Sequence, residues 1–562
     1  MQQTRKMATR REMISGSLKT LFAASILPLA PARASLQPPA LRAINIMNFI
    51  RAVDPRDSID LMEPVKEQMK LIRAHAFPAT WLLQYDALKS GPYVGFLKAE
   101  MPSTHETGLW FEMNRELCGD AGIAWRGKAE WEWDYHVPVD YGIGYTPDER
   151  RRLIDSAMQT FRRIFGHDAR SVGSWMIDAV SAAHLADHYD VDALAISRDQ
   201  LATDGFTIWG APIAAYYPSR KNAYSPALTR ENQIGSPMFR LLGQDPVYYY
   251  EKQIPYPDTM EPVWPSGQAP TFVRSFLDMI AESPTQSVAY AQLGQENSFG
   301  WPQMRRAYPM QMAILAQQQR KGLVVETMGD TGRRFKRMFS STPTQAQVML
   351  QDPFGHRHDP ERTVWYQSKY YRGNLHFRGN DFYLRDLHVY SDQFPQLYLE
   401  ESIQSDYVGH RMLAALDGYY WSDASALAGG AGTRAMGRFV LTDPGGAERP
   451  LRMEGIPDVT QSGPTLSTRV RLDDGGELVA EFQESDIAFR LRNTPPGHRL
   501  GIVFEWASGQ AAFHGISAGR LHYRFRDFDY SMRVANGSLA RTSRGATVTA
   551  IGRTAVRLQM AQ

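Results

Sequence analysis

One cysteine in 562 residues, Cys118, leaves nothing for an internal disulfide and excludes a multi-cysteine zinc or iron–sulfur site. An excess of one charge is missing too: 62 basic residues meet 60 acidic ones, a formal net charge of +2. Without a basic field, neither nucleic acid nor an anionic membrane is an expected partner. Beyond the N-terminal leader no run approaches the about 18 uninterrupted apolar residues of a membrane span. Internal repeats and long low-complexity tracts are absent. What is present is ordinary for a globular chain, 43% hydrophobic and 22% charged, which sets aside wholesale disorder and fibrous folds. The length predicts about three or four domains, or fewer if one is a barrel. Aromatic residues reach 11%, with 12 Trp, a composition that fits sugar-stacking surfaces or a large aromatic core.

Residues 1–34 read as a targeting segment. Arg5, Lys6, Arg10 and Arg11 make a basic head, and a weakly apolar run from Leu18 to Ala30 ends in Ala32-Arg33-Ala34, a small-x-small cleavage site. The paired arginines resemble a twin-arginine signal. The expectation is recognition by export machinery, a mature chain from near Ser35, and a periplasmic or secreted location. Oligomeric state is not legible.

Two periodicities divide the remainder. From 35 to 342, short apolar runs alternate with helical patterns. Strands are expected at Leu41–Phe49, Ala79–Gln84, Gly108–Met113, Ser171–Ile177, Ala193–Ser197, Phe206–Trp209, Met238–Leu242, Ser287–Leu293 and Leu323–Thr327. Helices are expected at Ser58–Ala76, Ala179–His188 and Gln303–Gln319. One more is announced by Thr146, Pro147 and Glu149, a capping box ahead of a long amphipathic stretch that Gly166 stops. Such alternation predicts an α/β fold, a closed or nearly closed barrel of parallel strands. Residues 343–361 read as a connector. From 362 to 562 the period is two, with turns at Asp443-Pro444-Gly445-Gly446, Asp473-Asp474-Gly475-Gly476 and Asn536-Gly537, which predicts an antiparallel β-sandwich.

Ligands of parallel α/β folds bind at the carboxyl ends of the strands. Near those ends the sequence puts Asn48 and Arg51, Tyr85 and Asp86, Asp178, Arg198 and Asp199, and Glu296, with Trp110 and Glu112 inside strand three and Arg240 within a later strand. Carboxylates and arginines grip hydroxyls, and Trp faces stack on sugar rings, so this mixture suits a carbohydrate.

His105-Glu106-Thr107-Gly108-Leu109-Trp110 resembles the third-strand "HE-x-G" element of polysaccharide deacetylases, and Ser174-Trp175-Met176-Ile177-Asp178 resembles the strand-four "W-x-x-D/E" element of family-38 and family-57 glycoside hydrolases. With a barrel followed by a β-domain, the chain is similar to that seven-stranded α/β-barrel hydrolase/deacetylase superfamily. Leu82-Leu83-Gln84-Tyr85-Asp86-Ala87-Leu88 and Gln295-Glu296-Asn297-Ser298-Phe299 further resemble an uncharacterised bacterial glycosidase-like group. The strand-four match implies Asp178 as nucleophile. Two metal signatures of the superfamily are missing. Strand one leads to Asn48-Phe49-Ile50-Arg51 rather than an Asp-Asp pair, and no H-x-x-x-H follows Glu106. The family-38 "H-x-D" element is absent as well.

The expectation is therefore a glycoside hydrolase using two carboxylates, without metal or cofactor; a deacetylase, lyase, epimerase or noncatalytic sugar binder is the alternative. Glu296, at a strand end flanked by Phe299 and Trp301, is the expected acid/base, with Asp199, Asp204 and Glu106 as rivals. Substrate contacts are expected from Glu106, Trp110, Trp133, Asp134, His136, Arg198, Asp199, Asp204, Trp209, Arg240 and Trp301. Three of these positions have an equally simple structural reading. Asp178 precedes a helix it can cap, Glu106 can pair with an arginine, and the Trp131–His136 loop can pack on itself.

Overall fold

The computed structural model describes residues 41–55, 58–196, 200–202, 205–206, 214–240, 260–350, 362–406, 412–418, 436–506, 512–525, 527–543 and 545–561. The leader, Arg198, Asp199, Asp204 and Trp209 lie outside these residues.

The first half is a nearly closed barrel. Its strands are β1 Leu41–Ile50, β2 Thr80–Leu83, β3 Glu106–Trp110, β4 Ser171–Ser174 and β5 Ala193–Ile196. A small hairpin, β6 Gln200–Ala202 with β7 Gly205–Phe206, stands apart from the barrel sheet. Then come β8 Ala215–Tyr216, β9 Met238–Arg240, β10 Val288–Leu293 and β11 Val324–Val325. The sheet runs β10-β1-β2-β3-β4-β5-β9-β8, and β11 adds to the early part of β1. All pairs are parallel except β8–β9. Residues buried on both faces, such as Ile44, Ile46, Leu82, Leu83 and Leu194, explain why these strands read as apolar runs without alternation.

Register fixes what points inward. Phe49, Leu82 and Gly108 are level with one another, as are Trp110 and Gly173. A Cβ on Gly173 would come within 2.6 Å of Leu82 and 2.8 Å of the Trp110 ring. Glycine there makes room for one leucine and one indole to fill the lumen. At the amino ends of the strands, the helix Met328–Met338 closes the barrel. The N–H of Met328 donates to Thr80 Oγ1 at 2.9 Å, and that of Gly329 to Glu106 Oε2 at 2.9 Å.

Two helices begin at caps legible in the sequence, Thr146 and Asp178. Pro147–Phe165 has the Thr146/Glu149 capping box, and Gly166 ends it at φ 84°, where a side chain would be strained. Ala179–His188 follows expectation, whereas Ser58–Ala76 shortens to Met62–Ala74.

The second half is a β-sandwich of a ten-stranded and an eight-stranded antiparallel sheet around one apolar core. The expected connector is partly strand: Gln345–Leu350 pairs with Arg362–Gln367. Its first residue also helps close the barrel. Gln345 bridges to Gln286 beside β10, while its side-chain oxygen accepts from the Ala215 N–H of β8 at 3.1 Å. After β-strand Asp381–Val389 the chain returns over the barrel. The Tyr398 and Glu401 carbonyls accept from Arg150, and Gln396 Oε1 accepts from Ala179 N–H.

Candidate active site

Three strand ends meet in one ion-pair network. Arg51 follows β1, and its guanidinium grips Glu112, just past β3, through Nε at 3.1 Å and Nη2 at 2.8 and 3.0 Å. Its remaining nitrogen donates to Glu296, which follows β10, and to Ser298 Oγ at 3.0 Å. Arg51, Glu112 and Glu296 are 2%, 0% and 4% exposed, so the network is nearly dry. The Arg51 guanidinium also lies 4.4 Å from the Trp133 ring, and Trp133 Nε1 donates to Asp140 at 2.8 Å. Asn297 holds the two loops together: its oxygen accepts from Arg51 N–H at 2.9 Å and its amide donates to the Arg51 carbonyl at 2.7 Å.

Several buried acids gather here. Glu112, Glu296 and Asp140 all act on the Arg51 guanidinium, and Glu261 is buried near Glu296. Burial pushes the Glu296 carboxyl up to about 7; Arg51 opposes this, while Glu112 and Glu261 add to it. Asp86, after β2, is also raised to about 7 by burial, although the N–H groups of Ala87, Val53 and Ala52 hold its charged form. A carboxyl that keeps its proton near neutrality can donate it.

Several expected site residues sit elsewhere. Asp178 does not join Glu296. Its Oδ1 accepts from Val180 and Ser181 N–H and from Arg150 at 3.1 Å, and its Oδ2 accepts from Ser181 Oγ at 2.7 Å. It caps the helix Ala179–His188 and neutralises a fully buried arginine, which corrects its expected place opposite Glu296. Glu106 is corrected too. It begins β3, at the closed end of the barrel, where it accepts from Ser171 and from the first turn of Met328–Met338. Arg240 pairs level with Ile196, on the face opposite the lumen-facing Phe239. Trp301 packs beside Tyr308, whose hydroxyl reaches Asn48 outside the barrel wall.

Others are at the mouth. Trp110 stacks on Phe49, centroids 3.9 Å apart, and Trp175 meets both edge-on. Trp133 is under Arg51, as described. Burial would raise Asp134, but hydrogen bonds from His136 and the Lys128 N–H hold its carboxyl below the ordinary value. It ties down the Trp131–His136 loop, and the half-exposed His136 ring stacks on Tyr135. Arg51 carried a signal in the sequence, since it follows the first expected strand, whereas Glu112 was expected inside the third. Asp140 and Glu261 carried none, being brought in by irregular segments.

A divalent metal, as the deacetylase resemblance implies, does not fit this donor set. The two glutamates that converge on the mouth are held by a guanidinium. Among the described residues no group of three or more His, Cys, Asp or Glu could hold a metal ion. Cys118 is buried, with Sγ 3.5 Å from the Tyr145 hydroxyl, and burial raises its thiol.

No family model matches the chain, and no curated protein matches it. Solved structures do. A protein of Parabacteroides distasonis, provisionally assigned as a glycoside hydrolase/deacetylase, is 13% identical, covers 66% of this chain and 89% of its own, and has a TM-score of 0.47. A family 4 carbohydrate esterase from Streptomyces lividans is 7% identical over 52% of this chain and 95% of its own, at TM-score 0.25. An allantoinase is 11% identical over 54% and 95%, at 0.32. At these values the likeness assigns no chemistry to this chain.

Proposed function

We propose that the chain is a carbohydrate-active enzyme and, within that class, a glycoside hydrolase working with two carboxyl groups. The observation that carries this reading is the buried Glu296 carboxyl, raised to about 7, beside Glu112 and bound to the same guanidinium. Glu296 is the proton donor to the leaving oxygen. Glu112 takes the second role that the sequence gave to Asp178. The two carboxyls hold opposite sides of one guanidinium, Glu112 on Nε and Nη2 and Glu296 on Nη1. Glu112 acts as the nucleophile if the pair works about 5 Å apart and as the base on water if it works roughly 6.5–9.5 Å apart, and the anomer first released distinguishes the two. Arg51 orients Glu112 and offsets charge on both carboxyls. Trp110, Trp175 and Phe49 form the apolar wall. The leader of residues 1–34 belongs to the same proposal, as an export signal; fractionation of the producing cell into cytoplasm and periplasm tests it.

Product analysis on a panel of plain and acetylated oligosaccharides tests the reaction class. New reducing ends without unsaturation are expected. Release of acetate with the glycan chain intact would replace the reading with a deacetylase, and a 4,5-unsaturated end with a lyase.

A further inference from the structure

At the rim of the lumen, Gln84 and Trp110 carry side-chain polar atoms without a hydrogen-bond partner among the described residues. Gln84 follows β2, is 0% exposed, and neither its amide nitrogen nor its amide oxygen has a hydrogen-bond partner. Its backbone N–H donates to the Ile50 carbonyl at 2.9 Å, which sets its level beside Arg51. Alternation from the inward Leu82 turns Gln84 inward as well, level with Trp110 on the next strand. Trp110 Nε1 is likewise buried without a partner. Phe49 covers one face of that indole and Trp175 meets it edge-on, so it is the N–H edge that remains to be used. Leaving such groups unpaired destabilises a fold, and a chain holding two of them side by side beside Arg51 and Glu112 keeps them for something that pairs with them.

We infer that Gln84 and Trp110 are specificity residues that read two adjacent free hydroxyls of a pyranose ring held against the Arg51–Glu112–Glu296 network. A carboxamide offers one acceptor and one donor in a plane, spaced to accept from one hydroxyl and donate to its neighbour. The indole N–H adds a donor and no acceptor. The inference rests on reading the barrel mouth as a carbohydrate site, and it selects rings with an unsubstituted vicinal diol over rings in which either hydroxyl is missing or acylated. Gly173 serves the same end, because any side chain there would push the Trp110 ring out of position.

The test is calorimetric binding by the full chain of methyl gluco-, galacto- and mannopyranosides and their monodeoxy analogues, with turnover of the matching aryl glycosides measured alongside. The wild type is expected to bind at least one parent sugar and to lose about tenfold or more when either hydroxyl of one adjacent pair is removed. Gln84→Leu is expected to bind parent and deoxy sugar alike, and Trp110→Phe to weaken discrimination at one hydroxyl. Because the ligand-free amide is unpartnered, Gln84→Leu should also melt no lower than the wild type. Binding with this selectivity but no hydrolysis would uphold the inference and remove the hydrolase reading. Unchanged selectivity in Gln84→Leu, no selectivity in the wild type, or no binding of any panel sugar would overturn it; a lower melting temperature for Gln84→Leu would mean that a buried water satisfies the amide instead.

Discussion

At the scale of single residues, what holds a buried carboxyl separates Glu296 from Asp178. Glu296 and Asp178 both stand at strand ends, and both contact a buried arginine. They differ in what else holds them. Asp178 has two backbone N–H groups and a serine hydroxyl, and its charge is spent on a helix start and on Arg150. Replacing Asp178 with Ala should cost ~3–5 kcal/mol, because a buried arginine loses its counter-ion; the midpoint of urea unfolding checks this. Glu296→Gln should lower hydrolysis about 10²–10⁴-fold, most for poor leaving groups, since only those need the proton. Aryl glycosides with excellent leaving groups should be affected least, and equal losses across both kinds would assign the proton to another residue. Arg51→Met should unfold far more readily than the wild type, as two carboxyls would remain buried without their cation.

At the scale of elements, much was readable from the chain and some was not. The helix Pro147–Phe165 was legible to the residue because its stop and start signals are local: a capping box and a left-handed glycine. Thr146→Ala should lower stability by about 1 kcal/mol. The strand β3 was misplaced by two residues, with its register read from apolar content alone. Glu106 and Thr107 open that strand because they pair level with Thr80 and Trp81 on β2, a long-range fact no local pattern carries. Glu106 stands at the amino end of the strand under either boundary, where it accepts from the first turn of Met328–Met338. Gly173→Ala should destabilise by ~1–3 kcal/mol, since the new methyl meets Leu82 and Trp110 in a filled lumen. Within the expected connector, Gln345–Leu350 has no strand signal stronger than its neighbours, and its place is set by pairing with Arg362–Gln367.

At the scale of the whole molecule, fold class was legible and the site only in part. Period-two alternation and α/β alternation are properties of long stretches, so the barrel and the sandwich survive errors at individual boundaries. The site joins positions 51, 112, 140, 261 and 296, and only the geometry of closure brings Asp140 and Glu261 to it. The same closure makes stability depend on pH. Glu296 and Asp86 have ordinary values of 4.5 and 3.8 and are raised to about 7 in the folded chain. The folded state therefore keeps protons that the unfolded chain has released, and stability present at low pH is lost as pH rises from about 4 to 7. Thermal melting should give a higher midpoint at pH 5 than at pH 8, and Glu296→Gln should narrow the gap. The most direct measurement of the central claim is the pH–rate profile for hydrolysis of a glycoside with a poor leaving group. Activity should fall as pH rises through about 7, where Glu296 loses its proton, and the Glu296→Gln enzyme should lack that limb. A limb of the same position and steepness in both proteins would contradict Glu296 as the proton donor.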